Sequence, residues 1–340
     1  MKTLIAMSGG VDSGVAALLI KEKGIDAMGA IMHLLGKRNK DADAAKDVCD
    51  RIGIPFYEFD FSNEFSSCVI NSFVESYENG ATPNPCIECN RHLKFGKFFD
   101  AAKDLGCTHI ATGHYAIIEK VGSEYLLKKA KDSSKDQSYV LYSIKREMLS
   151  KIIFPLGEYT KDEIREIAAK NGFINAHKKD SQDICFVPDG DYKKVIAERS
   201  SKSYPEGNFV NRDGVLLGRH KGIIGYTIGQ RKGLGLALPA PMYVCEKNVE
   251  KNEVVLCSNE ELFEKTMTVK NINWLASDKI PDKVRAKVKI RYKHEEQPAE
   301  INFTKDGANV TFDEPQRAIS RGQAAVFYDG DIVLGGGTIV

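Results

Sequence analysis

A chain of 340 residues with 48 Lys and Arg against 47 Asp and Glu carries a net charge of only +1, so overall charge marks no nucleic-acid partner and any such partner must be met by a local patch. The length suffices for two or three domains, no run approaches the ~20 apolar residues of a membrane span, and no signal-peptide pattern precedes the first strand. A cytoplasmic protein with no membrane partner is expected, and there the eight cysteines are more often catalytic or metal-binding than structural disulfides.

The first half of the chain alternates. Thr3–Met7 predicts a strand, Val11–Lys23 a helix stopped at Gly24, Ala27–Leu34 a strand, and Asp43–Ile52 a helix stopped at Gly53. Pro55–Phe61 and His109–Ala111 read as strands, Glu64–Tyr77 and Arg91–Leu105 as helices, the last stopped at Gly106. Such alternation predicts an α/β fold, a doubly wound parallel sheet with ligands at the C-terminal ends of its strands. Thr160-Lys161-Asp162-Glu163 forms a capping box for a helix through Lys170, and Tyr192–Glu198 is a further helix. After about Ser200 the pattern changes. Residues 216–236 are rich in glycine, and from Thr266 short strands follow one another, with turns at Asp306-Gly307 and Asp329-Gly330. These shifts divide the chain into a catalytic domain over residues 1–200, a small central domain over 201–265 and a C-terminal β-barrel over 266–340.

Three stretches carry chemistry. The first is Ser8-Gly9-Gly10-Val11-Asp12-Ser13, between the first strand and the first helix. Its glycines let the backbone turn sharply, and the N–H groups and dipole of the helix make an anion site. The run is not G-x-G-x-x-G and lacks the Lys of the P-loop; a glycine turn without a ligand is the plain alternative. The second stretch, Ala81-Thr82-Pro83-Asn84-Pro85-Cys86-Ile87-Glu88-Cys89-Asn90, reads as a stiff loop that sets two thiols just before the Arg91–Leu105 helix. A helix N-terminus, with Arg91, His92 and Lys94 nearby, favours the thiolate. No second C-x-x-C completes four zinc ligands. The third, Asp180-Ser181-Gln182-Asp183-Ile184-Cys185-Phe186, holds a lone cysteine that would pass for a small buried hydrophobe but for the preceding Lys178-Lys179. Cys49, Cys68, Cys107, Cys245 and Cys257 read as core, and Trp274 as packing in the barrel.

Val284–Lys293 predicts a strand with Arg285, Lys287, Lys289, Arg291 and Lys293 on one face and Val284, Ala286, Val288, Ile290 and Tyr292 on the other. Five basic residues in a stripe suit a phosphate backbone, and equally suit lysines guarding a sheet edge. Lys221 and Arg231-Lys232 lie between glycines and could touch phosphates in the same way.

The opening loop resembles the pyrophosphate-binding loop of the N-type ATP pyrophosphatases. Together with Asn84-Pro85, Cys89-Asn90, Ala111–Tyr115, Lys135–Ser138, Asp180–Phe186, Tyr226–Gly235, Ile290–Tyr292, Phe312–Arg317 and Gly322–Tyr328, it makes the chain similar to the tRNA-specific 2-thiouridylases nearly end to end. That resemblance implies an enzyme that uses ATP, with Mg²⁺ expected, to adenylate the C2 oxygen of the wobble uridine of tRNA. Sulfur then displaces AMP. It implies Cys185 as the persulfide carrier and Cys89 as the nucleophile that frees the sulfur and is left in a disulfide with Cys185. It places Ala6, Met7, Ser8, Gly9, Gly10, Val11, Asp12, Ser13, Met32 and Gly113 around ATP. It sets Asn84, Pro85 and Cys86 at the target base. His114, Lys135, Asp136, Gln137, Arg291, Tyr292 and Gln323 fall at tRNA-contacting positions. The implied partners are tRNAs of the Lys, Glu and Gln type and a sulfur donor such as a cysteine desulfurase or a relay protein.

Two departures stand out. Position 86 is cysteine where well-known members have aspartate, which creates Cys86-x-x-Cys89 beside the distant Cys185. Three such thiolates could hold a [4Fe–4S] cluster as an alternative sulfur carrier. The segment after Met32, His33–Ala42, is short. Another ATP-pyrophosphatase-type synthetase acting on a small molecule is the remaining enzymatic reading.

Overall fold

The structure is a computed structural model that describes residues 1–173 and 184–340. In chain order the strands are β1 (Lys2–Met7), β2 (Asp26–His33), β3 (Phe56–Asp60), β4 (His109–Thr112), β5 (Ile117–Val121), β6 (Glu124–Lys128), β7 (Ile152–Ile153), β8 (Gly207–Asn211), β9 (Leu216–His220), β10 (Tyr243–Asn248), β11 (Glu253–Cys257), β12 (Phe263–Trp274), β13 (Lys283–Lys289), β14 (Gln297–Thr304), β15 (Gly307–Arg317), β16 (Ala324–Asp329) and β17 (Ile332–Ile339). The helices are α1 (Val11–Glu22), α2 (Ala42–Ile52), α3 (residues 62–78), α4 (residues 85–104), α5 (Ser138–Leu141), α6 (Lys161–Lys170) and α7 (Tyr192–Arg199).

The first sheet is parallel, in the order β3-β2-β1-β4-β7. The chain builds outward from β1 to β3 on one side, then returns to place β4 on the other. The strand order therefore reverses between β1 and β4, and a crevice opens beyond their C-terminal ends, where open α/β sheets bind ligands. Apolar runs such as Leu4-Ile5-Ala6-Met7 are buried because helices cover both faces. Gly53 ends α2 in the left-handed conformation that its lack of Cβ permits. The box from Thr160 to Glu163 caps α6 as the sequence predicts.

β8–β11 form a separate four-stranded sheet in the order β10-β11-β8-β9. β12, β15, β14, β13, β16 and β17 follow one another, and the further pairing of β12 with β17 closes them into a six-stranded barrel. Closure leaves that ring without an edge. The β5–β6 hairpin, which no expected element covers, leaves the catalytic domain and adds to the barrel beside β17, with Ile332 opposite Lys128.

The core is shared rather than partitioned. Leu275, Ala324, Val326, Tyr328 and Val333 of the barrel pack in one cluster with Leu4, Ala6, Phe98 and Tyr139 of the catalytic domain. Phe209 and Val244 of the central sheet, with Ile223 from the segment after β9, pack with Phe65, Phe73, Cys89 and Phe186. Cys49, Cys107 and Cys257 are buried as expected, whereas Cys68 and Cys245 are half-buried.

α4 begins six residues earlier than the Arg91 start read from the sequence. Asn84 is its N-cap, accepting a hydrogen bond from the Cys86 N–H at 3.1 Å, and Pro85 occupies the first helical position. The prolines and asparagines taken as loop signals are helix-start signals, so Cys86 and Cys89 sit inside the helix. From Cys89 to Lys97 that helix is wound as a π-helix, a rare form that concentrates at functional sites.

Candidate active site

The nucleotide loop sits at the crevice. Gly9 has φ +67°, and a Cβ there would stand 2.5 Å from the Asp41 carbonyl oxygen. Only glycine fits, and the shortened segment after Met32 therefore packs directly on the loop. That segment is tied by His33. The Asn39 N–H donates to His33 Nδ1 at 2.8 Å, so Nε2 carries the proton and donates to Glu58 at 2.8 Å. Ser13 Oγ accepts from the Ser8 N–H and donates to the Gly10 carbonyl, both at 3.1 Å, closing the loop on itself. Gly113, just past β4, approaches the start of α1 so closely that a Cβ would lie 2.9 Å from Asp12 C and Ser13 N. Ala6 and Met32 line the buried ends of β1 and β2.

Asp12 does not face the crevice unaccompanied. Its carboxylate accepts from Lys161 Nζ at 2.8 Å through both oxygens and from Tyr115 Oη at 2.8 Å. Lys161 is buried, while the Asp12 side chain keeps 30% of its exposure, so the pair is only half shielded from water. The lysine that the opening motif lacks is thus supplied across the fold, from the first position of α6. Sequence spacing alone could not find it, because 149 residues separate the partners.

The thiols meet at the other side. Cys89 is buried in the core shared with the central domain. Phe186 and the half-buried Ile184, on either side of Cys185, pack against that same cluster. Burial pushes the Cys89 thiol up, partly offset by the Lys94 ammonium. Cys185 is exposed as a residue, yet desolvation of its sulfur, with Cys89 and Cys86 adding, pushes its thiol up to about 11; Lys94 pulls against this. Cys86 is exposed on the first turn of α4. All three sulfurs are thus within one another's electrostatic reach. Among the described residues no three His, Cys, Asp or Glu side chains stand where a single metal ion could be held; a [4Fe–4S] cluster would instead take each thiolate to a different iron. Asp180–Asp183 and Lys178-Lys179 lie outside the described residues.

The expected tRNA-side residues converge on the same helix. The barrel turn Arg321–Gln323 grips the chain before Asn84: the Thr82 N–H donates to the Arg321 carbonyl at 2.8 Å, and Gln323 Nε2 donates to the Thr82 carbonyl at 2.7 Å. Tyr292 Oη donates to the Asp136 carbonyl at 3.2 Å and is close enough for its field and that of Cys86 to interact. Asp136 and Gln137 are held by the protein itself. The Asp136 carboxylate accepts from Ala130 N–H and Ser138 Oγ, and Gln137 Oε1 accepts from Tyr115 N–H at 2.9 Å. Lys135 is half-buried on the same loop. His114 is buried, with Nδ1 2.7 Å from Thr112 Oγ1 and Nε2 3.3 Å from Lys94 Nζ.

The basic stripe is shorter than expected. β13 ends at Lys289, and the chain turns there. Arg291 consequently points inward, donating to the Ala318 carbonyl at 2.7 Å and the Ile228 carbonyl at 3.3 Å, while its Nε finds no partner among the described residues. Arg285 is paired with Asp313. Lys287 and Lys293 remain exposed, as do Lys221, Arg231 and Lys232. Among the described residues no helix is long and apolar enough to cross a membrane.

Three family models match the chain in succession: a tRNA methyl transferase HUP domain over residues 1–189, a tRNA methyl transferase PRC-barrel domain over 193–258, and an aminomethyltransferase beta-barrel domain over 264–339. The chain is 47% identical to tRNA-specific 2-thiouridylase MnmA 1 of Clostridium tetani, over 99% of this chain and 96% of that protein. It is 46% identical to the tRNA-specific 2-thiouridylase MnmA of Clostridioides difficile, over 99% and 98%. It is 45% identical to that of Acetivibrio thermocellus, over 99% of each.

Proposed function

This chain belongs to the tRNA-specific 2-thiouridylase family, and from that premise we propose the steps by which its own residues would thiolate C2 of the wobble uridine, position 34, in tRNA. A uracil C2 oxygen is a poor leaving group. ATP at the Ser8–Ser13 loop makes that oxygen an AMP ester, with the triphosphate seated on the N–H groups of α1 and the reaction held in the crevice between β1 and β4. Asp12 is tied to Lys161 and Tyr115, which fixes the loop against α6; magnesium, when bound with ATP, would neutralise charge on the triphosphate. A persulfide on Cys185 then delivers sulfur to C2 as AMP departs, and Cys89 breaks the Cys185–sulfur bond.

The observation that carries this reading is the packing of Ile184 and Phe186, which flank Cys185, in the same cluster as Cys89, with the barrel turn gripping Thr82 just ahead of α4. A small-molecule synthetase would share the loop and have no use for these thiols or for the barrel. The cluster alternative on Cys86, Cys89 and Cys185 keeps the substrate and changes the carrier, and iron analysis separates the two. The tRNAs are expected to be those for Lys, Glu and Gln, the donor a cysteine desulfurase or a relay protein, and the compartment the cytoplasm.

The test is nucleoside mass spectrometry of tRNA after reaction with purified enzyme, ATP and a sulfur donor. Cys89→Ser and Cys185→Ser should each abolish 2-thiouridine and leave tRNA binding within twofold. Normal thiolation by either variant would sink the persulfide scheme. Iron bound stoichiometrically to anaerobically purified enzyme, with activity lost on its removal, would favour the cluster.

A further inference from the structure

Lys94 is set apart from the other cations near the thiols. Arg91 and His92 are both bound to Glu88, at 3.0 and 3.2 Å. Lys94 makes no ion pair with a carboxylate among the described residues; its Nζ lies instead 3.3 Å from His114 Nε2. An ammonium can only donate, so Nε2 is the acceptor and Nδ1 carries the proton toward Thr112 Oγ1, 2.7 Å away. Burial and the Lys94 charge hold the ring well below its ordinary range, so it stays a neutral acceptor. Phe95 and Phe154 pack on the ring, with centroids 5.9 Å away in each case. His114 thus has both nitrogens engaged within the protein and serves as a fixed post for Lys94.

The winding of α4 supplies the second observation. An α-helix turns by about 100° per residue, so a residue five positions on is rotated by about 140° from the first. A π-helix bonds i to i+5 and brings residues five apart back toward one face. Cys89 and Lys94 are five apart, in the segment Cys89–Lys97 that is wound this way. The field of Lys94 reaches both Cys89 and Cys185. The other groups facing these thiols are Cys86 from the same helix and, beside Cys86, Tyr292 from the barrel.

We propose that Lys94, fixed by His114, is the cation that stabilises the Cys89 thiolate during sulfur transfer. The proposal rests on the persulfide reading above. In that step Cys89 gives its proton to water, its thiolate attacks Sγ of Cys185, and the bond from Cys185 to the transferred sulfur breaks. That sulfur keeps the electron pair and stays on C2 as the thione, while N3 of the base takes up a proton. A thiol reductant then returns the Cys89–Cys185 disulfide to two thiols. His114 is a positioning residue in this scheme, acting through Lys94.

The test measures iodoacetamide alkylation of Cys89 against pH by peptide mass spectrometry, alongside single-turnover thiolation and AMP release with the full-length enzyme and tRNA. Lys94→Met should move the alkylation profile up by about one pH unit and slow thiolation at least tenfold, with AMP release within threefold. His114→Leu should do the same to a smaller degree, and Lys94→Arg should restore most of the rate. Circular dichroism checks folding, and Lys94→Gln replaces Lys94→Met if that variant does not fold. An unmoved profile and unchanged thiolation in the Lys94 variants overturn the proposal. If Cys89→Ser, run in parallel, thiolates at the normal rate, the persulfide reading falls and the proposal falls with it. If Cys89→Ser is inactive and Lys94→Met is normal, the proposal alone falls.

Discussion

Gly113→Ala tests whether the crevice is set by backbone contact between the end of β4 and the first turn of α1. The backbone of Gly113 is not in the left-handed region, so alanine is conformationally allowed there. In open space the change would stabilise by about 0.4–1 kcal/mol through the unfolded chain. Here the added methyl would stand 2.9 Å from both Asp12 C and Ser13 N, about 0.5 Å inside ordinary contact, which begins near 3.4 Å. Both atoms are backbone of the first turn of α1, so no side chain can swing aside. Overpacking of this kind costs about 1–3 kcal/mol, and the sign of the effect reverses. Relief comes only by pushing the loop out of place, and a displacement approaching 1 Å at a reacting centre can cost about 10²-fold in rate. Thermal melting should fall, and tRNA-dependent release of AMP from ATP should drop by about ten- to a hundredfold while tRNA binding holds. A melting point raised or unchanged, with ATP turnover within twofold of normal, would refute the reasoning.

Three further outcomes follow from the same structure. Lys161→Met should destabilise by about 2 kcal/mol, less than the about 3–5 of a fully buried pair because the Asp12 side chain keeps 30% of its exposure; denaturant titration reads it, and an unchanged midpoint refutes it. The unmodified Cys185 thiol, raised to about 11, should be protonated at neutral pH, so its alkylation should climb about tenfold per pH unit until about pH 11. The same shift contributes stability below about pH 9 that is lost as pH rises from 9 to 11, because the folded thiol holds its proton longer than the unfolded one; a plateau in alkylation near pH 9 would show that the thiol is not shifted. Lys287→Ala, at the exposed position of β13, should flatten the salt dependence of tRNA binding by a slope of about 0.7–0.9, and an unchanged slope would mark β13 as a solvated face.

Much of this was legible in the chain itself where one local rule governs. The βα junction at Ser8–Ser13, the capping box at Thr160 and the closing turns of the barrel each follow from residues adjacent in sequence. The start of α4 is ambiguous in sequence because Asn-Pro serves a turn and a helix N-cap alike, and the choice between them lies in packing: the barrel turn at Arg321–Gln323 holds Thr82 and aims the chain into a helix. The inward turn of Arg291 was hidden for a related reason, since alternation predicts a face only while the strand lasts. Lys161 beside Asp12 and His114 beneath Lys94 are contacts across 149 and 20 residues, which no spacing encodes.

The hairpin of β5 and β6 bears on how this protein can be cut or evolved. Because β6 borders β17, and Tyr328 and Val333 share a core with Tyr139, the catalytic domain does not end where its sequence ends. A fragment lacking the barrel would bare the rim of β6 as a template for stray strand pairing. It would also release Ala81-Thr82, the strap that seats the start of α4. Shortening this chain from its C-terminus should therefore yield a sticky, misfolding remnant rather than a smaller enzyme that merely binds tRNA less well.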